Sequence, residues 1–243
     1  MIVANVRRQL TRRDAGLAVR LIAGEESQER ALLDERLRDE GIDGILDDPR
    51  LLRAIIEHPL GAAVSFPMFA YVAIRTALQR MGEGDRGVAD YAAAVMLEFQ
   101  GHGRANRIAA SDDETYGALY ELLEDVDDPD ARRSLLVRAH LGNYALWLSG
   151  LFADHIEYRR WHRGGPALDY FEEVGRRGFE LAADHRLAVE HGLAPLYHRV
   201  AERFAVVRTA LSAVSDQLLF PHVNTPERLM RQVTDEARWR RAG

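Results

Sequence analysis

Apolar residues recur every three to four positions along almost the whole chain, and this helical period constrains the fold more than any other feature. The prolines agree with it. Asp48-Pro49, Asp128-Pro129 and Thr225-Pro226 each place a capping side chain before a proline that can open a helix. Period-two alternation of β-branched residues, which would predict strands, is missing. The sequence therefore predicts an all-α protein.

The pattern predicts a multi-helix bundle of about ten helices followed by a tail helix. Their expected bounds are near 4–22, 26–40, 49–57, 66–81, 87–100, 112–125, 129–151, 153–162, 166–190, 194–220 and 226–241. Ser111 followed by Glu114 is typical of a capping box and sets the start of the sixth helix. Because no linker rich in proline, glycine or serine divides the chain, we expect a single helical domain over 1–243. Its amphipathic N-terminal helix 1–22 and its C-terminal helix 226–241 are expected at the periphery.

Two segments predict helices at the centre of the bundle. Residues 64–78 contain one charged side chain and residues 141–152 contain none. A helix that is apolar on most sides is usually buried, so we expect central apolar helices near 66–81 and 135–151. The helix at 194–220 carries one regular apolar stripe, which predicts either burial against the core or the seam of a homodimer. The stripe consists of Val200, Phe204, Val207, Leu211, Val214 and Leu218.

Composition excludes several kinds of chemistry. The chain of 243 residues has no cysteine and no lysine. Disulfides, thiol nucleophiles, cysteine-bound metals and lysine Schiff bases are therefore excluded. A net charge of −6 disfavours general nucleic-acid binding. No apolar run is long enough for a transmembrane helix, and the arginine-rich residues 1–22 fit an amphipathic helix better than a signal peptide, so we expect a cytoplasmic protein.

Charge is segregated along the chain. Residues 112–130 contain nine acidic residues and no basic residue. Such a run is typical of a solvated helix face, and it is also the kind of surface on which a protein partner docks. A protein partner therefore remains one of the interactions that the sequence predicts.

The second central helix carries a polar and aromatic stripe. His140, Asn143, Tyr144 and Trp147 share one face of it. Buried polar groups need hydrogen bonds, and a few converging polar groups among apolar ones are the usual form of a ligand pocket. The stripe predicts either a pocket for a small apolar ligand or a buried histidine and asparagine whose hydrogen bonds are satisfied within the core.

One spacing resembles that of metal ligands. Glu98 and His102 are four residues apart, so a carboxylate and an imidazole would share one helix face. Asp184 and His185 are candidates for a second pair of ligands, although neighbouring residues point about 100° apart on a helix. Such ligands suit iron, manganese or zinc. Helical di-iron sites draw acid–histidine pairs from two helices, and no second pair with this spacing occurs.

The sequence alone does not determine the activity, and it leaves two hypotheses. The first is a non-catalytic binding or interaction protein for a partner or a small apolar ligand, without a cofactor. The second is a metal-dependent helical oxidase or hydrolase that uses Glu98 and His102.

Overall fold

The computed structural model describes residues 1–101 and 103–242, and within them it contains helices and no strand. The all-helical fold predicted from the sequence is confirmed. The chain divides into two compact units, Val3–Leu97 and Met1–Ile2 with Glu98–Gly243. The boundary falls near the end of the seventh helix. The expectation of a single domain stays a prediction.

Seven helices begin within the first 97 residues. They are α1 (Val6–Gln9), α2 (Arg12–Ala23), α3 (Ser27–Glu40), α4 (Ile42–Leu46), α5 (Leu51–Glu57), α6 (Phe66–Arg80) and α7 (Arg86–Phe99). A short 3₁₀ helix, Pro59–Ala63, lies between α5 and α6.

Eight helices follow. They are α8 (Leu119–Glu124), α9 (Ala131–Leu151), α10 (Ala153–Arg163), α11 (Leu168–Ala183), α12 (Arg186–Glu190), α13 (Ala194–Glu202), α14 (Phe204–Val214) and α15 (Pro226–Ala242). A 3₁₀ helix at Arg104–Asn106 precedes α8, and a turn of π-helix at Ser215–Leu219 extends α14.

The predicted helix 4–22 is two helices, because a capping box separates α1 from α2. The Thr11 hydroxyl accepts a hydrogen bond from the Asp14 N–H, and the Asp14 carboxylate accepts one from the Thr11 N–H at 2.8 Å. This reciprocal pair satisfies amides that a helix start leaves free, so the chain restarts at Arg12. A helix cap also divides the predicted helix 166–190. The His185 ring accepts the Leu187 N–H, and α12 begins after it.

Each unit contains one of the two central helices predicted from the sequence. In the first unit, α6 begins after Ser65, whose hydroxyl caps it, and buries nine of its fifteen residues. In the second unit, α9 begins after Asp130, whose carboxylate accepts the N–H groups of Arg132 and Arg133. Both central helices are confirmed.

Helix α9 packs closely against α11 and α14 within the second unit. A Cβ built on Gly178 of α11 would lie 2.7 Å from the backbone nitrogen of Gly142 on α9, so two glycines let the backbones meet. On the apolar stripe of 194–220, five of the six predicted residues are buried inside the chain and Leu218 is partly exposed. The stripe is therefore part of the core, and it is not free to form a dimer seam.

The predicted helix 112–125 is helical only from Leu119, because residues 112–118 fold around one arginine of α9. The Arg133 guanidinium pairs with Asp112 at 3.1 Å, with Asp128 at 3.2 Å and with Glu114. Glu114 is therefore an ion-pair partner and does not cap a helix, as the sequence had suggested. Arg133 and Arg138 thus pair with part of the acidic run, while several of its carboxylates remain exposed, and a protein partner for this surface stays a prediction.

Candidate ligand cavity

The aromatic stripe predicted on α9 is present. The rings of His140 and Tyr144 stack with centroids 6.1 Å apart, and those of Tyr144 and Trp147 with centroids 6.0 Å apart. The ring of Phe99 lies edge-on to His140 and to Trp147. One helix face thus brings three of the four predicted residues into a single aromatic ladder.

His140 is a structural residue of this ladder. Its side chain is 2% exposed, and its Nε2 lies 2.9 Å from the carbonyl oxygen of Ala105. Burial lowers the pKa of His140 to about 4, so the ring is neutral near pH 7 and Nε2–H donates to the carbonyl. Asn143 is buried in the same helix. Neither residue belongs to the lining of the cavity that Tyr144 reaches.

The cavity that Tyr144 reaches lies between α8, α9, α10 and α11 within the second unit. We call it the ligand cavity. Its volume is about 270 Å³, and its walls are mostly aromatic and aliphatic. The lining residues are Gly117, Ala118, Leu119, Tyr120, Tyr144, Leu148, His155, Ile156, Arg159, Pro166, Tyr170 and Phe171. Of the four pocket residues predicted from the sequence, Tyr144 alone belongs to this lining.

Tyr144 supplies a polar group to the wall. The side chain is 9% exposed, and its hydroxyl makes no hydrogen bond with any residue that the structure describes. Burial raises the pKa of Tyr144, and the charge of Glu121 raises it further, so the hydroxyl keeps its proton at neutral pH. It is therefore available to donate a hydrogen bond to a bound molecule.

Two charged or titratable side chains of α10 also line the cavity. His155 and Arg159 are four residues apart, so they share one face of the helix, and both are exposed to solvent. Within the described part of the chain, the Arg159 guanidinium has no ion pair and no hydrogen bond. Its neighbour Arg160, by contrast, pairs with Glu157 at 3.4 Å.

Sequence reasoning missed most of this lining. The cavity walls come from four helices and the turns between them, and no spacing along one helix brings these positions together. Arg159 lies in a segment rich in arginine and aromatic residues, which was the one available signal for it. Tyr144, within the α9 stripe, was the position that helical periodicity could locate.

The predicted metal ligands lie in separate interactions. Glu98 pairs with Arg104 at 3.3 Å, Asp184 lies 3.6 Å from the His198 ring, and the His185 ring accepts the Leu187 N–H. His102 lies outside the described residues. Across 1–101 and 103–242, no group of three or more histidines and carboxylates could hold a metal ion. A site that uses Glu98 and His102 stays a prediction.

A second polar cluster occupies the first unit. Arg75 binds Asp47 through two hydrogen bonds of 2.7 and 3.2 Å, and Arg86 shares the same carboxylate. Asp90 is buried and accepts the Arg7 N–H at 2.9 Å, and burial raises the pKa of its carboxyl group. The charges of this cluster are largely paired with one another.

No helix in the described part of the chain combines the length and apolar character needed to cross a membrane. Comparison of the sequence with protein-family models, and of the chain with curated proteins and with solved structures, gives no match.

Proposed function

We propose that this protein binds a small, mostly apolar molecule in the ligand cavity and acts as a binding protein and not as an enzyme. The observation that carries the proposal is the hydroxyl of Tyr144, a buried side chain of the cavity wall, which has no hydrogen-bond partner among the described residues. Although most of the side chain is buried, solvent reaches its hydroxyl oxygen from the cavity. A ligand that accepts a hydrogen bond from this hydroxyl takes the place of solvent there, and such a hydrogen bond contributes about 0.5–1.5 kcal/mol.

The size of the cavity limits the ligand. Its volume of about 270 Å³ lies between a benzene-sized cavity of about 150 Å³ and the roughly 300–1,000 Å³ of larger ligand sites. The aliphatic side chains of Leu148 and Ile156 and the ring of Phe171 provide an apolar surface for the body of the ligand. A molecule of one or two rings, or a short branched chain, fits this space.

The chemistry of the lining supports binding over catalysis. An enzyme site needs a nucleophile with its base, or an acid and a base that converge on the reacting atom. The described lining has no serine, threonine or carboxylate, and its polar groups are tyrosines, one histidine and one arginine. These groups recognise and orient a ligand by hydrogen bonds and charge.

The proposal is tested with a neutral two-ring probe, 1-naphthalenemethanol. Saturation-transfer NMR should show binding to the wild-type protein, with a Kd of about 0.1–1 mM for a ligand of this size. Ala118→Leu adds side-chain volume to the cavity wall and should weaken binding at least tenfold. Ala110→Leu makes the same change at an exposed position outside the lining and should leave binding unchanged.

Two results would overturn the proposal. One is the absence of saturation transfer to the probe in the wild-type protein. The other is equal affinity in the two alanine-to-leucine variants, because the probe would then bind elsewhere. Circular dichroism of each variant establishes that a loss of binding is not a loss of fold.

A homodimer and a cytoplasmic location belong to the same proposal. The dimer would form through a surface other than the 194–220 stripe, since Val207 and Leu211 are buried inside the chain. Sedimentation velocity measures the oligomeric state directly, and a single species of monomer mass over the micromolar range would exclude the dimer.

A further inference from the structure

We infer that the molecule bound in the ligand cavity is a compact carboxylic acid, with its apolar body inside the cavity and its carboxylate on Arg159. The inference rests on the proposed function and specifies the class of ligand. It follows from the position and the pairing of one guanidinium group.

Arg159 lies on the cavity wall with its charge uncompensated. Most arginines that are buried in this unit bind carboxylates: Arg208 binds Asp235, and Arg231 binds Asp216. Arg159 is exposed to solvent and has no such partner in the described part of the chain, and it lies beside a lining of aromatic and aliphatic groups. A cation at the edge of an apolar cavity attracts a ligand that is apolar at one end and anionic at the other.

The carboxylates near the cavity are occupied elsewhere. Glu121 of α8 accepts hydrogen bonds from the backbone N–H groups of Gly117 and Ala118, at the start of its own helix. Asp169 of α11 pairs with Arg238. Neither carboxylate pairs with Arg159, so its exposed guanidinium is open to a group that comes from outside the chain.

The donors favour a carboxylate over a phosphate. A guanidinium binds a carboxylate through two parallel hydrogen bonds, and this planar match needs only one arginine. A phosphate carries more charge and is typically bound by several cations or by a helix N-terminus. The cavity offers one arginine, with the neutral donor Tyr144 in the same lining.

The charge of the whole protein makes the inference specific. A net charge of −6 repels anions at long range, so any preference for an anionic ligand must come from a local cation. If the protein binds an acid more tightly than the neutral analogue of that acid, a local cation must be responsible. Substitution of Arg159 then tests whether this arginine is that cation.

The experiment compares two probes with the same ring system, 1-naphthoate and 1-naphthalenemethanol, in the full chain at low salt. In the wild-type protein, we expect the acid to bind about tenfold more tightly than the alcohol. Arg159→Gln should remove this difference by weakening the acid alone. Arg163→Gln is the matched control, because Arg163 is exposed on the same helix, has no partner among the described residues and does not line the cavity.

The outcomes separate the two proposals. If neither probe binds, the proposed function fails. If the alcohol binds and the acid has no advantage, the cavity is a ligand site and the carboxylate inference is wrong. A preference for the acid that survives in Arg159→Gln, or that disappears equally in Arg163→Gln, also contradicts the assignment to Arg159.

Discussion

Arg208 of α14 and Asp235 of α15 form a bidentate ion pair, in which both nitrogen–oxygen distances are 2.7 Å. The Arg208 side chain is 1% exposed, and its Nε also donates to Glu172 of α11 at 2.9 Å. Nearer the start of α15, Arg231 binds Asp216 and Arg228 binds Asp154. Helix α15 is thus attached through arginine–carboxylate pairs, while apolar residues of the same helix remain exposed. These are Leu229, Met230 and Val233.

Asp235→Asn should destabilise the second unit. The substitution keeps the shape of the side chain but leaves Arg208 buried with Glu172 as its main remaining counter-charge. When one partner of a buried ion pair is removed, the other charge stays buried and its desolvation is no longer compensated. We therefore expect a loss of about 3 kcal/mol in the free energy of unfolding. Urea denaturation followed by circular dichroism measures it.

The control for this prediction is Glu190→Gln. Glu190 pairs with Arg186 on the exposed surface of α12, where an ion pair contributes about 0.3–0.5 kcal/mol. Equal effects of the two substitutions would show that burial does not strengthen the α15 pairs. Cleavage of α15 by trypsin at lower urea in Asp235→Asn than in the wild type would place the loss at this helix.

Local signals in the sequence were enough to predict where a helix begins when a neighbouring residue caps it. Ser65 caps α6, Thr225 caps α15, and both helices begin where the sequence predicts them. Residues 112–118 were misassigned because their conformation depends on Arg133, which is 19 residues from Glu114. A pattern search over short windows has no access to an ion pair at that separation.

The same limit applies to the candidate site. Periodicity placed His140, Tyr144 and Trp147 on one face of α9, and the stacked rings agree with it. It could not show that Tyr144 is the one of these three that lines the ligand cavity, because the opposite walls come from α8, α10 and α11. Whether Arg159 has an ion-pair partner likewise depends on the folded chain, and its neighbours in the sequence do not determine it.

His140 should make the protein less stable in acid. Its pKa is lowered from 6.5 to about 4 in the folded protein. Between these values the unfolded chain binds a proton that the folded chain does not, so stability falls as the pH decreases from 6.5 towards 4. The loss approaches about 3 kcal/mol at the lower end, because each unit of difference in pKa corresponds to about 1.4 kcal/mol.

The variant His140→Gln isolates this contribution, since it retains a side-chain donor for the Ala105 carbonyl oxygen but does not titrate. We expect the free energy of unfolding of the wild type to fall more steeply than that of the variant between pH 6.5 and 4.5. Parallel curves for the two proteins would mean that His140 becomes protonated without unfolding, which contradicts its buried, neutral state.

Tyr144→Phe should separate ligand binding from stability. The hydroxyl has no hydrogen-bond partner among the described residues, so its removal should change the free energy of unfolding by less than about 0.5 kcal/mol. Affinity for 1-naphthalenemethanol, whose oxygen can accept this hydrogen bond, should fall about 3–10-fold, the effect of one neutral hydrogen bond.

The comparison for this variant is Tyr116→Phe, because the Tyr116 hydroxyl donates to Asp125 at 2.7 Å and accepts from Arg133. Tyr116→Phe should lose about 1–3 kcal/mol of stability. If Tyr144→Phe is as destabilising as Tyr116→Phe, the Tyr144 hydroxyl has a structural partner and the proposed ligand loses its main support.

Gly178→Ala should be strongly destabilising, whereas Gly16→Ala should stabilise the protein. A Cβ at Gly178 would lie 2.7 Å from the backbone nitrogen of Gly142, and a backbone atom cannot move aside as the end of a side chain can. Overpacking of this kind costs about 1–3 kcal/mol or more, because α9 and α11 must separate. Gly16 lies in the exposed interior of α2 with nothing within 4 Å of its added Cβ, so alanine there gains about 0.5–1 kcal/mol from helix propensity. Thermal unfolding of the two variants beside the wild type measures both changes, and a rise in Tm for Gly178→Ala would show that the two helices are less closely packed than the structure describes.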